Sequence, residues 1–539
     1  MNQHSISFWE KAGYALGDGA ANIAWRGVAT FLFIFYTDVF GLSPVAVGML
    51  MLITRVSDGI TDVLMGIIGD RTSTRYGKFR PWILWTAIPL GVILSLLFTA
   101  PNLSATGKIV YAYVTYITFT LVYTANNIPY GALMAVITGD DRQRTVIGSY
   151  RMVGAFAGGM IVQGALLFLV AQFGHVNATV QITKQQEKQL ITVTALEEVD
   201  NARITTGDGV NTLVLWEDGS DGLKQEPASA LSLNLEKNNT YQILAQGEKQ
   251  LTLADLSIIN QKKGYSQSIY LMSLFLAFFM FITFYSTRER VSPPPEQKTD
   301  LRKDLSDLVR NRPWLILLVI GMLFNVYNSI KQGITVIYFT HYLHNQLLTG
   351  SFLVGLMLAS IAGAMITGPL GKRWGKKKLF IAALLFSAAS NALMVLYSDR
   401  DIYLIFITGM LSEFASAIFP TLFFAMLGDA ADYSEFRNNR RATGLVYSAG
   451  SFATKFGGGI AGALIGLVLG AFAYDGQDAA SIPGAIPGII MLMSWIPSLI
   501  ALLAAAIMTL YPLSQTKMDE ITLELNRRRK SVSTQSVNI

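Results

Sequence analysis

Two aspartates and an arginine stand close together in an otherwise apolar stretch near the start of the chain. They are Arg55, Asp58 and Asp62, and spacings of three and four residues place them on one face of a helix. Two carboxylates this close in a medium of low dielectric constant repel each other and require a counter-charge. A monovalent cation, a proton or Arg55 would supply it. The alternative is a structural Arg–Asp network that fixes helix packing.

A second group of charges suits the recognition of a polar ligand. Asp18 and Arg26 are eight residues apart, which puts them two turns apart on roughly one helical face. Arg151 lies in a later apolar segment. Carboxylates and guanidinium groups are good partners for hydroxyl-rich or anionic ligands. We therefore expect these three residues to bind substrate, or Arg26 to pair with Asp18 or Glu413 instead.

Two further apolar segments carry polar side chains of interest. Asn126 and Asn127 precede Pro129, a pattern that predicts a locally distorted helix lining a cavity. Ser451 and Lys455 lie on one broad face of a much later segment. Lys455 is a candidate internal counter-ion to the carboxylates of the first group.

The composition excludes a soluble enzyme. Of the 539 residues, 52% are hydrophobic and only 14% are charged, whereas a soluble protein carries about 25% charged residues. Each ionisable group facing lipid would cost several kcal/mol, so such groups must face a shared polar interior or pair with one another. With no cysteine and only 4 scattered histidines, the chain has no predicted disulfide, metal cluster or cysteine nucleophile. No signal peptide is expected, because the N-terminus lacks an apolar core segment.

Twelve apolar segments predict an all-α membrane protein. Connections between them are short, except for a polar block at 174–264 and a charged linker at 287–312. Each segment is long enough for a helix that crosses a bilayer. The segments are 12–40, 44–69, 81–100, 109–137, 145–173, 265–286, 313–343, 348–371, 379–397, 402–428, 442–474 and 484–512.

The distribution of basic residues predicts the orientation. Most of the 42 lysines and arginines fall in alternate loops and in the tail, which are expected to be cytoplasmic. Both termini are then cytoplasmic, and 174–264 is periplasmic in a bacterial inner membrane. Charges at the cytoplasmic side either latch the outward-open state or serve orientation alone. The candidate gate residues are Arg71, Arg75, Asp429, Asp432, Arg440 and Arg441.

An internal repeat predicts two halves of six helices. Gly77-Lys78 follows the second segment and Gly375-Lys376 follows the eighth. Two such halves joined by a cytoplasmic linker are typical of the major facilitator architecture. The predicted divisions are 1–173 for helices 1–5, 174–264 for the outside insertion, 265–286 for helix 6, 287–312 for the linker, 313–512 for helices 7–12 and 513–539 for the tail.

The polar block between the fifth and sixth segments is predicted to be β-rich. Leu231, Leu233 and Leu235 alternate with polar residues, and Asn238-Asn239 marks a turn. Similar runs occur at 190–196 and 211–216. The block is either a decorated loop or a small domain for substrate capture or partner contact.

Several motifs resemble those of the glycoside–pentoside–hexuronide:cation symporter family. The resemblance covers nearly the whole chain except 174–264. It rests on FYTDVFGL at 35–42, DGITD at 58–62, RYGKFRPW at 75–82, NRPW at 311–314 and DAADY at 429–433.

The resemblance implies roles for individual residues. The cation ligands would be Asp58, Asp62 and Thr124, with Thr61 beside them. Lys455 matches a lysine near the cation site. The implied or expected substrate contacts are Asp18, Arg26, Tyr123, Asn127, Arg151 and Ser451.

The chain also departs from the pattern of the melibiose-transporting members. Thr61 stands where those members have an asparagine that helps hold sodium, and Asn127 replaces a sugar-binding aspartate. Gly131 and Pro420 replace tryptophans that line the sugar site, and Arg26 is an addition. The resemblance therefore implies a wider, less acidic cavity, and it leaves sodium or proton coupling open.

We expect a symporter that carries an acidic sugar or oligosaccharide together with Na+ or H+ by alternating access. The alternatives are a symporter of a neutral glycoside or pentoside and, more remotely, a glycan sensor or flippase with a transporter fold. No enzymatic activity, organic cofactor, nucleic acid or metal beyond a possible Na+ is expected. The expected partners are a sugar, a monovalent cation and lipid, and the expected state is a monomer.

Overall fold

A computed structural model of the protein describes residues 6–138, 141–185, 188–206, 212–216, 230–246, 251–290, 308–438 and 443–537. The chain divides into two compact units. The first comprises Met1–Pro293, Gln332–Val354 and Gly462–Ile490. The second comprises Pro294–Lys331, Gly355–Ala461 and Met491–Ile539.

The segments before the linker form six helices. Serine N-caps begin several of them: Ser7, Ser43 and Ser104 each accept a hydrogen bond from a backbone N–H in the first turn. A π-helical turn, Phe35–Val39, follows the first helix. The helices are α1 Phe8–Ile34, α2 Pro44–Arg71, α3 Arg80–Leu97, α4 Ala105–Ile137, α5 Asp141–Phe173 and α6 Gln261–Ser286.

The segments after the linker are helical as well. A second π-helical turn, Tyr338–Tyr342, follows the first of them. The predicted tenth and twelfth segments are each two consecutive helices. The helices are α7 Arg312–Ile337, α8 Leu348–Trp374, α9 Lys376–Leu393, α10 Ile402–Ser416, α11 Ile418–Asn438, α12 Thr443–Ala471, α13 Ile482–Met493, α14 Trp495–Thr509 and α15 Gln515–Val537.

All twelve predicted apolar segments are therefore helical. Within the described ranges, eight helical segments are long and apolar enough to cross a membrane by length and composition. Pro129 lies inside α4, which is helical from Ala105 to Ile137. Asn126, one turn before this proline, ties α4 to α3, since its Nδ2 donates to Thr86 Oγ1 of α3 at 2.8 Å.

Small residues allow α1 and α5 to pack backbone against backbone. A side chain at Gly154 would overlap the carbonyl of Ala15, and one at Gly158 would overlap the carbonyl of Gly19. Such close approach is common where helices associate within membranes. It fixes the register in which the charged residues of α1 face those of α5.

The repeated loops after α2 and α8 share one backbone feature. Gly77 has φ of +110° and Gly375 has φ of +79°, a region that residues with a Cβ rarely adopt. In the first loop, the carboxylate of Glu289 accepts hydrogen bonds from the backbone N–H groups of 78–80 at 2.8–2.9 Å. A negative charge at the start of α3 is favourable because the first N–H groups of a helix have no internal partners.

The predicted β-rich insertion is confirmed, and it consists of two antiparallel sheets. One has the strand order β1-β2-β6-β4 and the other β5-β3-β7. Alternating apolar residues such as Ile191, Val193, Ile204 and Ile243 form its buried core. The strands are β1 Ala178–Gln185, β2 Lys188–Ala195, β3 Val199–Thr206, β4 Thr212–Trp216, β5 Ala230–Leu235, β6 Thr240–Gln246 and β7 Leu256–Asn260.

The two ends of the insertion lie side by side. Asn260 N donates to Gly174 O at 2.7 Å, and Val176 N donates to Ile258 O at 3.2 Å. β7 therefore leads directly into α6, which begins at Gln261, four residues before the predicted start of that helix.

The second unit has an aromatic core. Phe324 and Phe419 stack with ring centroids 3.6 Å apart, and Phe380 meets Phe419 edge-on at 5.1 Å. The tail contributes to this core through α15, whose Met518, Ile521 and Leu525 are buried. The segment predicted as a cytoplasmic tail therefore contains a helix whose first part packs against this core.

Candidate functional site

The arginine and the first aspartate of α2 form a buried ion pair. Arg55 Nη1 lies 2.8 Å from Asp58 Oδ2, and Arg55 Nη2 donates to the Tyr116 hydroxyl of α4 at 3.1 Å. The spacing of three residues predicts this contact. Arg55 therefore compensates one of the two predicted carboxylates and ties α2 to α4.

The second aspartate of α2 has a partner from α4. Thr124 Oγ1 donates to Asp62 Oδ1 at 3.1 Å. Thr61, by contrast, uses its hydroxyl within α2, because Thr61 Oγ1 donates to the backbone carbonyl of Asp58 at 3.1 Å. The structure thus brings together Asp58, Asp62 and Thr124 of the predicted cation ligands.

Aromatic rings connect this acidic group to α1. The guanidinium carbon of Arg55 lies 4.3 Å from the ring centroid of Trp25. Trp25 in turn packs on Tyr123 of α4, with ring centroids 5.3 Å apart. Stacking of this kind holds a guanidinium in place without neutralising it.

Asp18 and Arg151 of the second predicted group form an ion pair across the α1–α5 contact. Arg151 Nε lies 3.3 Å from Asp18 Oδ2, and the guanidinium lies 5.4 Å from the ring centroid of Tyr130. Asp18 is buried, while Arg26 and Asn127 are half-buried. Asp18 of α1 therefore meets Arg151 of α5.

The charges of the first unit define what this arrangement can bind. The two groups contain three carboxylates, Asp18, Asp58 and Asp62, and the ion pairs engage two of them. Among the described residues, no group of three or more His, Asp or Glu side chains could hold a metal ion. The arrangement suits a small monovalent cation or a proton at Asp62 and Thr124, beside a hydrogen-bonding ligand at Asp18 and Arg151.

The predicted site residues of the second unit lie on α12. Lys455 is half-buried, and the side chain of Ser451 falls outside the described part of the chain. A buried polar network on α7 and α10 was not predicted from the sequence. Lys331 Nζ donates to Ser412 Oγ at 3.2 Å, and Tyr327 shares that hydroxyl at 2.9 Å.

The candidate gate residues have local partners. Lys376 Nζ lies 2.7 Å from Asp429 Oδ2, and Arg75 Nη2 donates to the Tyr76 hydroxyl at 2.6 Å. Arg71 is exposed and Asp432 is half-buried, whereas Arg440 and Arg441 lie outside the described residues. Lys376 was not among the predicted gate residues, although it belongs to the repeated Gly375-Lys376 loop.

Asp38 was not predicted as a site residue, yet it lies at the centre of a buried polar cluster. Asp38 is only 2% exposed. Its Oδ2 lies 2.7 Å from His341 Nε2, and its Oδ1 accepts hydrogen bonds from the Tyr474 hydroxyl and Thr37 Oγ1, each at 2.7 Å. We call Asp38, His341 and Tyr474 the buried acid–histidine cluster. It joins the two π-helical turns and the loop after α12.

The sequence matches a model of one protein family over most of its length. The family is described as MFS/sugar transport protein, and the match covers residues 13–196 and 243–515. The unmatched stretch between these ranges lies inside the β-rich insertion.

Several curated relatives align with nearly the whole chain. A putative glycoside/cation symporter of Escherichia coli, YagG, is 30% identical over 97% of this chain and 96% of its own length. The isoprimeverose transporter of Lactiplantibacillus pentosus is 28% identical over 92% of this chain and 87% of its own length. A glucuronide carrier protein homolog of Escherichia coli is 28% identical over 98% of both chains.

Solved structures with low sequence identity share the fold. A bacterial homolog of the human lysosomal transporter Spinster has a TM-score of 0.64 at 11% identity, covering 95% of this chain and 98% of its own. A D-xylose–proton symporter has a TM-score of 0.54 at 12% identity, covering 93% and 97%. The helical arrangement is therefore that of the major facilitator transporters.

Proposed function

Since the chain belongs to the glycoside–pentoside–hexuronide:cation symporter family of major facilitator sugar transport proteins, we propose that it couples the downhill entry of Na+ or H+ to the uptake of an acidic sugar or oligosaccharide. The observation that carries the proposal is the contact between Asp62 and Thr124 beside the Arg55–Asp58 ion pair. This arrangement places the Asp62 carboxylate and the Thr124 hydroxyl, two oxygen ligands suited to a small cation, one turn from the ion pair.

The proposed coupling step follows from the electrostatics of α2. Binding of a cation or proton at Asp62 removes the repulsion between this carboxylate and Asp58, one turn away. Trp25 and Tyr123 link the acidic group to α1, where Asp18 begins the proposed sugar site. An ion bound at α2 thereby orders the helix that carries the first sugar contact, and alternating access exposes both ligands to the two sides of the membrane in turn.

The proposed substrate class rests on the charge of the sugar site. The proposed sugar site contains two arginines, Arg26 of α1 and Arg151 of α5, and one aspartate, Asp18. The ion pair uses one edge of the Arg151 guanidinium, and the fork has five donors. A uronate carboxylate would bind the remaining donors together with Arg26. The glucuronide carrier homolog among the relatives is consistent with this chemistry.

A neutral glycoside or pentoside is the second candidate substrate. The Asp18–Arg151 ion pair is complete without a ligand anion, so a neutral sugar would bind it through hydroxyl groups alone. The isoprimeverose transporter among the relatives favours this alternative.

The relatives and the apolar helices support a multi-pass protein of the bacterial inner membrane. We further propose that both termini are cytoplasmic and that the insertion is periplasmic, because basic residues concentrate in the opposite set of loops. Lys455 is proposed as a counter-ion for the carboxylates, and Ser451 as a sugar contact.

Uptake into proteoliposomes tests the proposal. We expect the wild-type protein to accumulate a radiolabelled glucuronide above its external concentration when an inward Na+ or H+ gradient is imposed, and to discriminate against the neutral parent glycoside. Asp62→Asn should abolish accumulation against the gradient, because the neutral amide lacks the negative charge that attracts a cation and cannot take up a proton. The matched control is Asp399→Asn, which removes an exposed carboxylate and should leave uptake unchanged.

Different outcomes separate the candidates. Equal uptake of the charged and neutral sugars, unaffected by Arg26→Gln, would replace the acidic substrate with a neutral one. Normal uphill accumulation by Asp62→Asn would contradict the assignment of the coupling residue. Absence of any exchange of labelled sugar across the membrane would favour a glycan sensor or flippase over a symporter.

A further inference from the structure

A small polar cavity lies where the β-rich insertion meets the ends of α5, α6 and the second π-helical turn. Its volume is about 90 Å³. The insertion contributes Arg203 and Thr206 of β3, and the helical part contributes Gln261, Thr340 and Gln346. All of these residues belong to the first compact unit.

Arg203 places a positive charge against this cavity, and it has no direct ion-pair partner among the described residues. The residue is only 8% exposed. No hydrogen bond or ion pair of its guanidinium occurs within the described ranges of the chain. Burial lowers the pKa of Arg203, and the nearby charges counteract that effect only in part. A buried arginine without a counter-ion is strongly unfavourable, so it indicates a partner that the chain does not supply.

The acid with the largest effect on Arg203 is already engaged elsewhere. Asp38 influences Arg203 through its charge, but both Asp38 oxygens are bound within the buried acid–histidine cluster. His341 contacts Oδ2, and Tyr474 and Thr37 donate to Oδ1. Asp38 therefore makes the region less positive without pairing with Arg203.

Two hydroxyl groups beside Arg203 also lack partners. Thr206 Oγ1 and Thr340 Oγ1 are buried, and neither makes a hydrogen bond with any described group. Buried hydroxyls are normally hydrogen-bonded, and each exception requires an explanation. Both threonines line the cavity with Arg203. The described residues of the lining include no aspartate or glutamate.

We propose that this cavity is a binding site for a small oxyanion, a carboxylate above all, held by the Arg203 guanidinium and by the hydroxyls of Thr206 and Thr340. A carboxylate accepts two hydrogen bonds from one guanidinium and further bonds from hydroxyls. It would supply the missing counter-charge and the missing acceptors together. The cavity is much smaller than the roughly 300 Å³ of a typical ligand pocket, so it takes the acid group and not a whole sugar.

The site is separate from the proposed transport site. Arg203 lies in the stretch of the insertion that the family match passes over, whereas Asp18, Asp58 and Asp62 lie within the matched part. The bound oxyanion would come from one of two sources with the same chemistry. It is either a free small anion or the acid group of a sugar held at the insertion. The inference does not depend on cation coupling.

Thermal unfolding of the purified full-length protein in detergent tests the site. Chloride is replaced stepwise by acetate, and in a second series by phosphate, at constant ionic strength. We expect acetate to raise the Tm of the wild-type protein in a saturable manner, because a ligand bound only to the folded state stabilises it. Arg203→Gln should abolish this rise. Arg400→Gln, which removes an exposed arginine, should retain it.

A second variant covers the case in which Arg203→Gln does not fold. Thr206→Val keeps the shape of the side chain and removes a hydroxyl that has no partner. It should leave the Tm in chloride unchanged and weaken acetate binding by about tenfold.

The source of the anion is distinguished with D-glucuronate and D-glucose in the Asp62→Asn background. Stronger, Arg203-dependent stabilisation by glucuronate than by acetate would identify a sugar acid, and equal stabilisation would identify a general anion site. Either result supports the site even when transport is lost. Equal acetate shifts in wild type and Arg203→Gln, or no wild-type response to acetate, phosphate or glucuronate, would overturn the proposal.

Discussion

His341 and Asp38 occupy matching positions in the two halves of the chain. Residues 35–38 read FYTD and residues 338–341 read YFTH, and each set lies in a π-helical turn at the end of the first helix of its half. Single-turn π-helical insertions occur frequently at functional sites. The repeat has therefore placed an acid and a base at equivalent positions, and the structure joins them.

Exchange of the two residues tests the contact between Asp38 and His341. Asp38→His and His341→Asp should each lower the Tm of the purified protein, because each leaves two like groups facing each other in a buried site. The double variant Asp38→His with His341→Asp should recover most of the loss, with a coupling of about 0.5–3 kcal/mol. A double exchange no more stable than the weaker single variant would contradict the pairing.

Residue spacing alone predicted part of the candidate site. The intervals between Arg55, Asp58 and Asp62 predicted one helical face, and the Arg55–Asp58 contact is of that kind. The partner of Asp18 was not predictable, because Arg151 is 133 positions away and meets it only through the α1–α5 packing. The contacts of Asp38 were not predictable from spacing either, because His341 and Tyr474 are 303 and 436 positions away, although the match between FYTD and YFTH was a usable signal.

The packing of α1 on α5 is the element on which the proposed sugar site depends. The Asp18–Arg151 ion pair forms between these helices, and glycines at their contact allow the backbones to approach closely. Any residue that separates the two helices should therefore lower both stability and sugar binding.

Matched glycine substitutions in α5 test this dependence. Gly158→Ala would place a methyl group against the carbonyl of Gly19, and overpacking of this kind costs about 1–3 kcal/mol. A Cβ at Gly148, in the same helix, would meet open space. Gly148→Ala should therefore be neutral or slightly stabilising. The Tm and the yield of monodisperse protein are the measurements. Equal behaviour of the two variants would show that the close approach is unimportant.

At the level of elements, apolar length and alternation were reliable guides. Leu231, Leu233 and Leu235 alternate in the sequence and fall in β5. The start of α6 was placed too late, because Gln261 and the two lysines after it are polar yet helical, with Asn260 as the N-cap.

Symporters of this family carry a cation and a sugar together. The proposed mechanism requires that binding of each ligand changes the affinity for the other. Thermodynamic linkage makes the two effects equal. We expect saturating Na+, or a lower pH if the ion is a proton, to tighten sugar binding by about 5- to 150-fold, and saturating sugar to tighten ion binding by the same factor.

Isothermal titration of the purified protein with each ligand, alone and in the presence of the other, measures this linkage. Asp62→Asn should reduce the factor to about one while sugar binding itself persists. Sugar affinity that is independent of the ion in the wild-type protein would contradict coupling through α2.

The side-by-side ends of the insertion have an evolutionary consequence. Backbone hydrogen bonds close the strand pair at Gly174 and Asn260, so the distance that the chain must span between α5 and α6 is short with or without the strands. Insertions of this kind are tolerated because they add a folded body at a surface loop without displacing the elements on either side. The closed ends thus allow an ancestral transporter to acquire the β-rich insertion in one genetic event and to keep its helices unaltered.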